Sequence, residues 1–204
     1  MNILQEVIRK VKSVQHGFKV MKEEAERIQE EHNHQEMFTI AKELYTSDIY
    51  QVRMTATFLL GMVASQIPEA FLFLHDTVST DTSWQVQEIL AQAFDQYCKN
   101  VGYEKALPII KQWLKDKNPN IKRAVSEGLR IWNTREYFKQ HPDTALTLLS
   151  QLKDDESEYV RKSAVNAIRD ISRKEKELVK NELETWDRSN KKIAFTYALA
   201  SKFL

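Results

Sequence analysis

Four glycines and four prolines in 204 residues are too few for the turns that an all-β chain of this size needs. A single cysteine, Cys98, rules out an internal disulfide and points to a reducing cytoplasm. Its expected role is that of a small buried residue on a helix. Charge of one sign is also missing: 30 Lys and Arg face 29 Asp and Glu, for a formal net of +1. No polybasic arm is present, so any anion-binding surface must arise by sorting charge onto one face. No apolar run approaches the roughly 20 residues of a membrane span. The N-terminal MNILQEVIRKVK lacks a signal-peptide core. There is no CxxC, HExxH, glycine-rich phosphate loop or nucleophile elbow. His32 and His34 are two residues apart and share no helical face, so a metal site there is not expected.

What the chain has in quantity is Lys, Glu, Leu, Ala, Gln and Arg, all good helix formers. It also repeats itself. VRMTATFLLGMVA from Val52, VQEILAQAFDQYC from Val86, IKRAVSEGLRIW from Ile121, VRKSAVNAIRDIS from Val160 and KKIAFTYALASKF from Lys191 share one pattern. Position 0 is apolar in four of the five. Position +4 holds Ala56, Leu90, Val125, Ala164 and Phe195, and position +8 holds Leu60, Phe94, Leu129, Ile168 and Leu199. These spacings make one apolar stripe on a helix. Position +7 is mostly small (Ala93, Gly128, Ala167, Ala198), which lets a neighbouring helix come close. A second amphipathic stretch precedes each segment, across short joints such as KDKNPN and KDDESE that carry cap and turn residues. Starts 34, 35, 39 and 31 residues apart fit stacked helix pairs, one pair per period. The expected fold is therefore all-α, a right-handed superhelix of repeats with a concave groove. Residues 36–204 supply five helix pairs, and residues 1–35 supply an N-terminal helical cap with a break near Gly17.

The stripe leaves the opposite face to solvent, at positions +2, +6 and +9. There stand Glu88, Gln92 and Asp95, then Arg123, Glu127 and Arg130, then Lys162, Asn166 and Arg169. The +1 column adds Arg53, Lys122, Arg161 and Lys192. Two accounts of these charges stay open. They form ion pairs between repeats, or they line a groove that holds a polyanion while a carboxylate faces something positive. Trp84 lies four residues before Glu88, on the first turn of its helix. A tryptophan beside a carboxylate makes a pocket for a cationic ring, and it also serves as a packing residue at a repeat edge.

PNIKRAVSEGLRIW, SEYVRKSAVNAIRDISRK and the Trp84–Glu88 pair resemble the bacterial HEAT-like DNA alkylation-repair proteins, the AlkC and AlkD superfamily. The likeness runs over roughly residues 36–204, and RAVSEG and YVRKS are closer to the AlkC side. The resemblance implies a repeat protein that grips duplex DNA by its backbone and hydrolyses the N-glycosidic bond of N3- or N7-alkylated purines, as a monomer without cofactor. It implies a catalytic role for Glu88, with Glu127 and Asp170 at further acidic positions. Trp84, Arg123 and Asn166 would meet the lesion and its backbone, Asn166 standing where the AlkD branch has a second tryptophan. Lys122, Arg130, Arg161, Lys162 and Arg169 would complete the DNA surface. The alternatives are a family member that binds damaged or branched DNA without excising bases, and a protein-binding scaffold.

Overall fold

The computed structural model describes residues 2–130 and 132–204. Met1, in the N-terminal stretch read above, and Ile131, in the third repeat segment, lie outside them. Thirteen α-helices and no strand occur among the described residues. None of the helices is long and apolar enough to cross a membrane. They fall into two compact units, residues 1–101 and 102–204.

The first unit holds α1 (Ile3–Val11), α2 (Lys19–Glu31), α3 (His34–Tyr45), α4 (Tyr50–Val63), α5 (Pro68–Asp76) and α6 (Trp84–Val101). The break expected near Gly17 is real: Gly17 sits at φ 77°, a conformation that disfavours any residue with a Cβ. Asn33 starts α3 with a reciprocal capping box to Glu36. The centre of the unit is α4 packed on α6. The stripe Val52, Ala56, Leu60 meets Val86, Leu90, Phe94, and all six are buried. Gly61 lies so close to α6 that a Cβ there would stand 2.6 Å from the Cα of Ala93. Two small residues therefore set the approach of these helices. Cys98 is buried, and that burial pushes its thiol well above the ordinary range.

The second unit holds α7 (Tyr103–Leu114), α8 (Pro119–Gly128), α9 (Glu136–Gln140), α10 (Pro142–Ser150), α11 (Glu158–Ser172), α12 (Lys176–Glu184) and α13 (Lys191–Ala200). Here α8 and α13 both pack on α11. Ile121, Val125, Leu129 and Val160, Ala164, Ile168 form the buried stripes. The Oγ atoms of Ser126 and Ser163 hydrogen-bond at 2.6 Å inside this contact. The long 39-residue spacing before Val160 has a physical cause. A 3-10 turn at Trp132–Thr134 and the five-residue α9 are inserted there, and Trp132 and Phe138 fill the space between them with ring centroids 4.4 Å apart.

The fifth repeat differs from its expected register. Phe195 is 38% exposed and Leu199 is only half-buried, whereas Ile193, Thr196 and Ala200 face inward. The helix cap explains the shift. In each repeat the residue just before the second helix (Ile49, Ser83, Asn118, Ser157, Asn190) stands three residues ahead of a buried aliphatic (Val52, Val86, Ile121, Val160, Ile193). Asn190 accepts hydrogen bonds from the Lys192 and Ile193 N–H groups, which fixes where α13 begins. Position 0 of this repeat is Ile193, not Lys191.

Candidate functional site

Three of the joints that open a second helix use the same local chemistry. Asp81, Asp116 and Asp155 each accept the backbone N–H of the residue two further on, at 2.7–2.9 Å. Besides these turns, the carboxylates of Asp81 and Asp155 each accept from a cation of the preceding pair. Arg53 donates to both oxygens of Asp81, from Nε at 2.7 Å and from the other arm at 3.1 Å. Tyr45 donates its hydroxyl to the same carboxylate at 2.8 Å. Burial opposes ionisation of Asp81, but the bonds from Arg53, the Ser83 N–H and Tyr45 outweigh it and hold the carboxyl below its ordinary value. In the second unit Lys122 pairs with Asp155. Arg161 donates to the main-chain carbonyls of Asp155 and Glu156, and Lys192 pairs with Glu156. Arg53, Lys122 and Lys192 therefore join repeat to repeat, while Arg161 fastens the joint of its own pair.

The Asp81 joint also positions Trp84. The Ser83 hydroxyl meets the Val86 N–H at 3.5 Å, and the Gln87 side chain donates to the Asp81 carbonyl at 2.7 Å. This anchoring starts α6 with the Trp84 ring turned outward and 64% exposed. Glu88 follows one turn later on the same face, half-buried. Both line a pocket of about 230 Å³ whose other walls include His16, Phe18, Tyr50 and Met54. Three aromatic rings and one carboxylate face this space, and neither Lys nor Arg lines it. Such a lining favours a flat positive ring, held by the faces of the aromatics and neutralised by the acid. The motif reading found Trp84 and Glu88. It missed Phe18, Tyr50 and His16, for which the break at Gly17 is the only sequence signal.

In the second unit Glu127 and Asp170 come together on one guanidinium. Arg130 Nε donates to Asp170 at 2.8 Å, and another arm stands 3.7 Å from Glu127. Arg173 reaches the far oxygen of Asp170 at 3.5 Å. Arg130, Asp170 and Arg173 line a polar cleft of about 440 Å³ with Asn133, Thr134 and Lys174. Arg123, expected on the solvent face, is buried, its guanidinium 4.4 Å from the centre of the Tyr159 ring. Lys162 is exposed and pairs with Glu158 at 2.6 Å. Asn166 and Arg169 are half-buried on α11. No group of three or more His, Cys, Asp or Glu side chains suited to a metal occurs among the described residues.

The family model for "DNA alkylation repair enzyme" matches residues 13–201. The chain belongs to that family. Within the DNA alkylation repair family its likeness to AlkD2 from Streptococcus mutans is extensive, with 46% identity over 98% of this chain and 97% of that one and a TM-score of 0.95. A second crystal structure, smu.31 from Streptococcus mutans UA159, matches at 45% identity and a TM-score of 0.92 over the whole of both chains. The Pseudomonas fluorescens alkylpurine DNA glycosylase AlkC, solved on DNA with an abasic-site analogue, shares the fold at 23% identity and a TM-score of 0.52, over 97% of this chain and 61% of that one. Among curated proteins, the uncharacterised YhaZ of Bacillus subtilis is 29% identical over 116 residues, which is 50% of this chain and 32% of YhaZ. The fold is the HEAT-like helical-repeat class expected from the sequence, and DNA alkylation repair is the function of the family.

Proposed function

We propose that this protein recognises purines made cationic by alkylation at N3 or N7 within DNA, and that Trp84 and Glu88 form the recognition pair. The observation that carries this reading is the pocket itself: an exposed tryptophan and a carboxylate one turn apart, lining one space with two further rings. An alkylpurine differs from its parent chiefly by its positive charge, and this lining selects for that charge. DNA-backbone contact falls to Lys162 and Arg169, whereas Arg123 is buried beside the Tyr159 ring. Lys122 and Arg161 serve the joints instead. With most cations engaged inside the chain, undamaged duplex is bound weakly and with a shallow salt dependence.

Excision of the base is a second reading, supported by Glu88. An alkylated purine is a good leaving group, and its departure leaves positive charge on the sugar. The C–N bond breaks with its electron pair on the base, which leaves neutral, and Glu88 would stabilise the charge left on the sugar, orient the water whose oxygen bonds to the anomeric carbon and take that water's proton. Glu127 and Asp170 are assigned to ordering Arg130 rather than to catalysis, because both face its guanidinium. Two assays on one methylated duplex separate the readings. Anisotropy should show tighter binding of methylated than of unmethylated duplex, and equal binding of the two defeats the recognition reading. Chromatography of released 3-methyladenine and 7-methylguanine decides excision on its own.

A further inference from the structure

We infer that the Trp84 pocket also binds its cationic ring outside duplex DNA, as a free alkylated nucleoside, with Phe18 as the selecting wall and Gln51 as the residue that positions it. The inference rests on the reading of Trp84 and Glu88 as the lesion pocket and extends it to a ligand class and to two residues.

Every wall of the pocket comes from residues 15–89, within one compact unit. Its volume, about 230 Å³, lies below the roughly 300–1,000 Å³ of pockets for drug-sized ligands. One fused ring system fits that space and a base pair does not. The occupant is thus a single ring, free or unpaired.

Phe18 sits at the far end of the turn between α1 and α2, directly after Gly17 with its positive φ. Its ring is 42% exposed and lies 6.1 Å from Phe58, so one side rests on α4 and the rest is open to the pocket. Gln51 fastens that turn a second time. The Gln51 side chain is buried on α4, next to Tyr50 of the pocket wall. Its amide donates to the carbonyls of Val14, at 2.9 Å, and Lys12, at 3.3 Å. Those carbonyls lie just past the C-terminus of α1, where helix geometry leaves acceptors without partners. One side chain therefore ties the Phe18 turn to the helix that carries Tyr50. The Phe18 ring, which lines the same pocket as Trp84, is held in place before any ligand arrives, which removes an ordering cost from binding.

The test titrates the full chain with 7-methylguanosine, whose ring is cationic, and with guanosine, by calorimetry and by quenching of tryptophan fluorescence. Trp84 is the exposed reporter, while Trp113, Trp132 and Trp186 are buried. The methylated nucleoside should bind at least about tenfold tighter than guanosine, a difference of about 1.4 kcal/mol, within the range of a partly exposed to desolvated cation–π contact. Phe18→Leu keeps apolar bulk without a ring face and should lower that ratio about fivefold, with the melting temperature unchanged. Gln51→Ala should lower the same selectivity ratio, a readout that mere loss of stability does not move. No binding by the native chain, equal affinity for the two nucleosides, or a ratio unmoved by Phe18→Leu overturns the inference. Nucleoside binding without any preference for methylated duplex upholds it and defeats the DNA reading. Preference for methylated duplex without nucleoside binding does the reverse.

Discussion

Arg53 on the fourth helix and Asp81 at the joint before the sixth form a two-armed ion pair, at 2.7 and 3.1 Å, that links one helix pair to the next. The carboxylate is 4% exposed and also accepts from Tyr45 and the Ser83 N–H, so all its partners are inside the chain. The same joint seats Trp84, so the ion pair bears on both stability and the site.

Asp81→Asn should destabilise the protein by roughly 3 kcal/mol, since it leaves the largely buried Arg53 without its anion. The folded carboxyl lies below its ordinary value of 3.8. Its stabilising contribution is therefore complete above that value and is lost as pH falls through the lower folded value. The stability gap between the native chain and the variant should be wide at pH 7 and should narrow below pH 3.8. Denaturant unfolding across this range checks it, and a gap that widens on acidification contradicts it.

Gly61→Ala should cost about 1–3 kcal/mol, as overpacking does in a close helix contact. The new methyl would meet Ala93 Cα at 2.6 Å and Ala93 Cβ at 2.7 Å, and backbone cannot step aside. Gly17→Ala meets no atom within 4 Å. Its cost is instead the strain of a positive φ, roughly 1 kcal/mol. Thermal melts of the two variants should rank Gly61→Ala as the more damaging.

Lys122→Ala and Lys162→Ala should divide stability from DNA contact. Lys122 and its partner Asp155 are 17% and 8% exposed, so truncation should cost roughly 2–3 kcal/mol and leave the salt dependence of DNA binding unchanged. Lys162 and Glu158 are 53% and 56% exposed, so truncation should cost within about 0.5 kcal/mol. The slope of log affinity against log salt should then fall by about one. The opposite assignment of the two effects would restore the reading of Lys122 as a backbone contact.

Four of the five repeats were legible because their apolar stripe and the cap three residues before it agree. The last misled because Phe195 and Leu199 imitate the stripe two residues early. Asn190 was the better marker, since a cap is a hydrogen-bonding requirement while an apolar residue also sits at an edge. The charges on the repeated helices were legible only as a choice. Whether Lys122 reaches a phosphate or Asp155 depends on where the next joint falls, and period alone does not give that distance. The Trp84–Glu88 pair lay within one helical turn and could be read directly. Its companions Phe18 and Tyr50 come from other elements, and the Gln51 bonds that gather them span 37 and 39 residues.

The most direct test of the account is the affinity of Glu88→Gln for methylated and unmethylated duplex at one salt concentration, beside the native chain. If Glu88 faces the positive charge of the alkylated ring, the preference for methylated duplex should fall by roughly tenfold, the scale of one charge-assisted contact. Affinity for unmethylated duplex should hold or rise, because a negative charge near phosphates is gone. An unchanged preference for methylated duplex in Glu88→Gln would contradict the account at its centre.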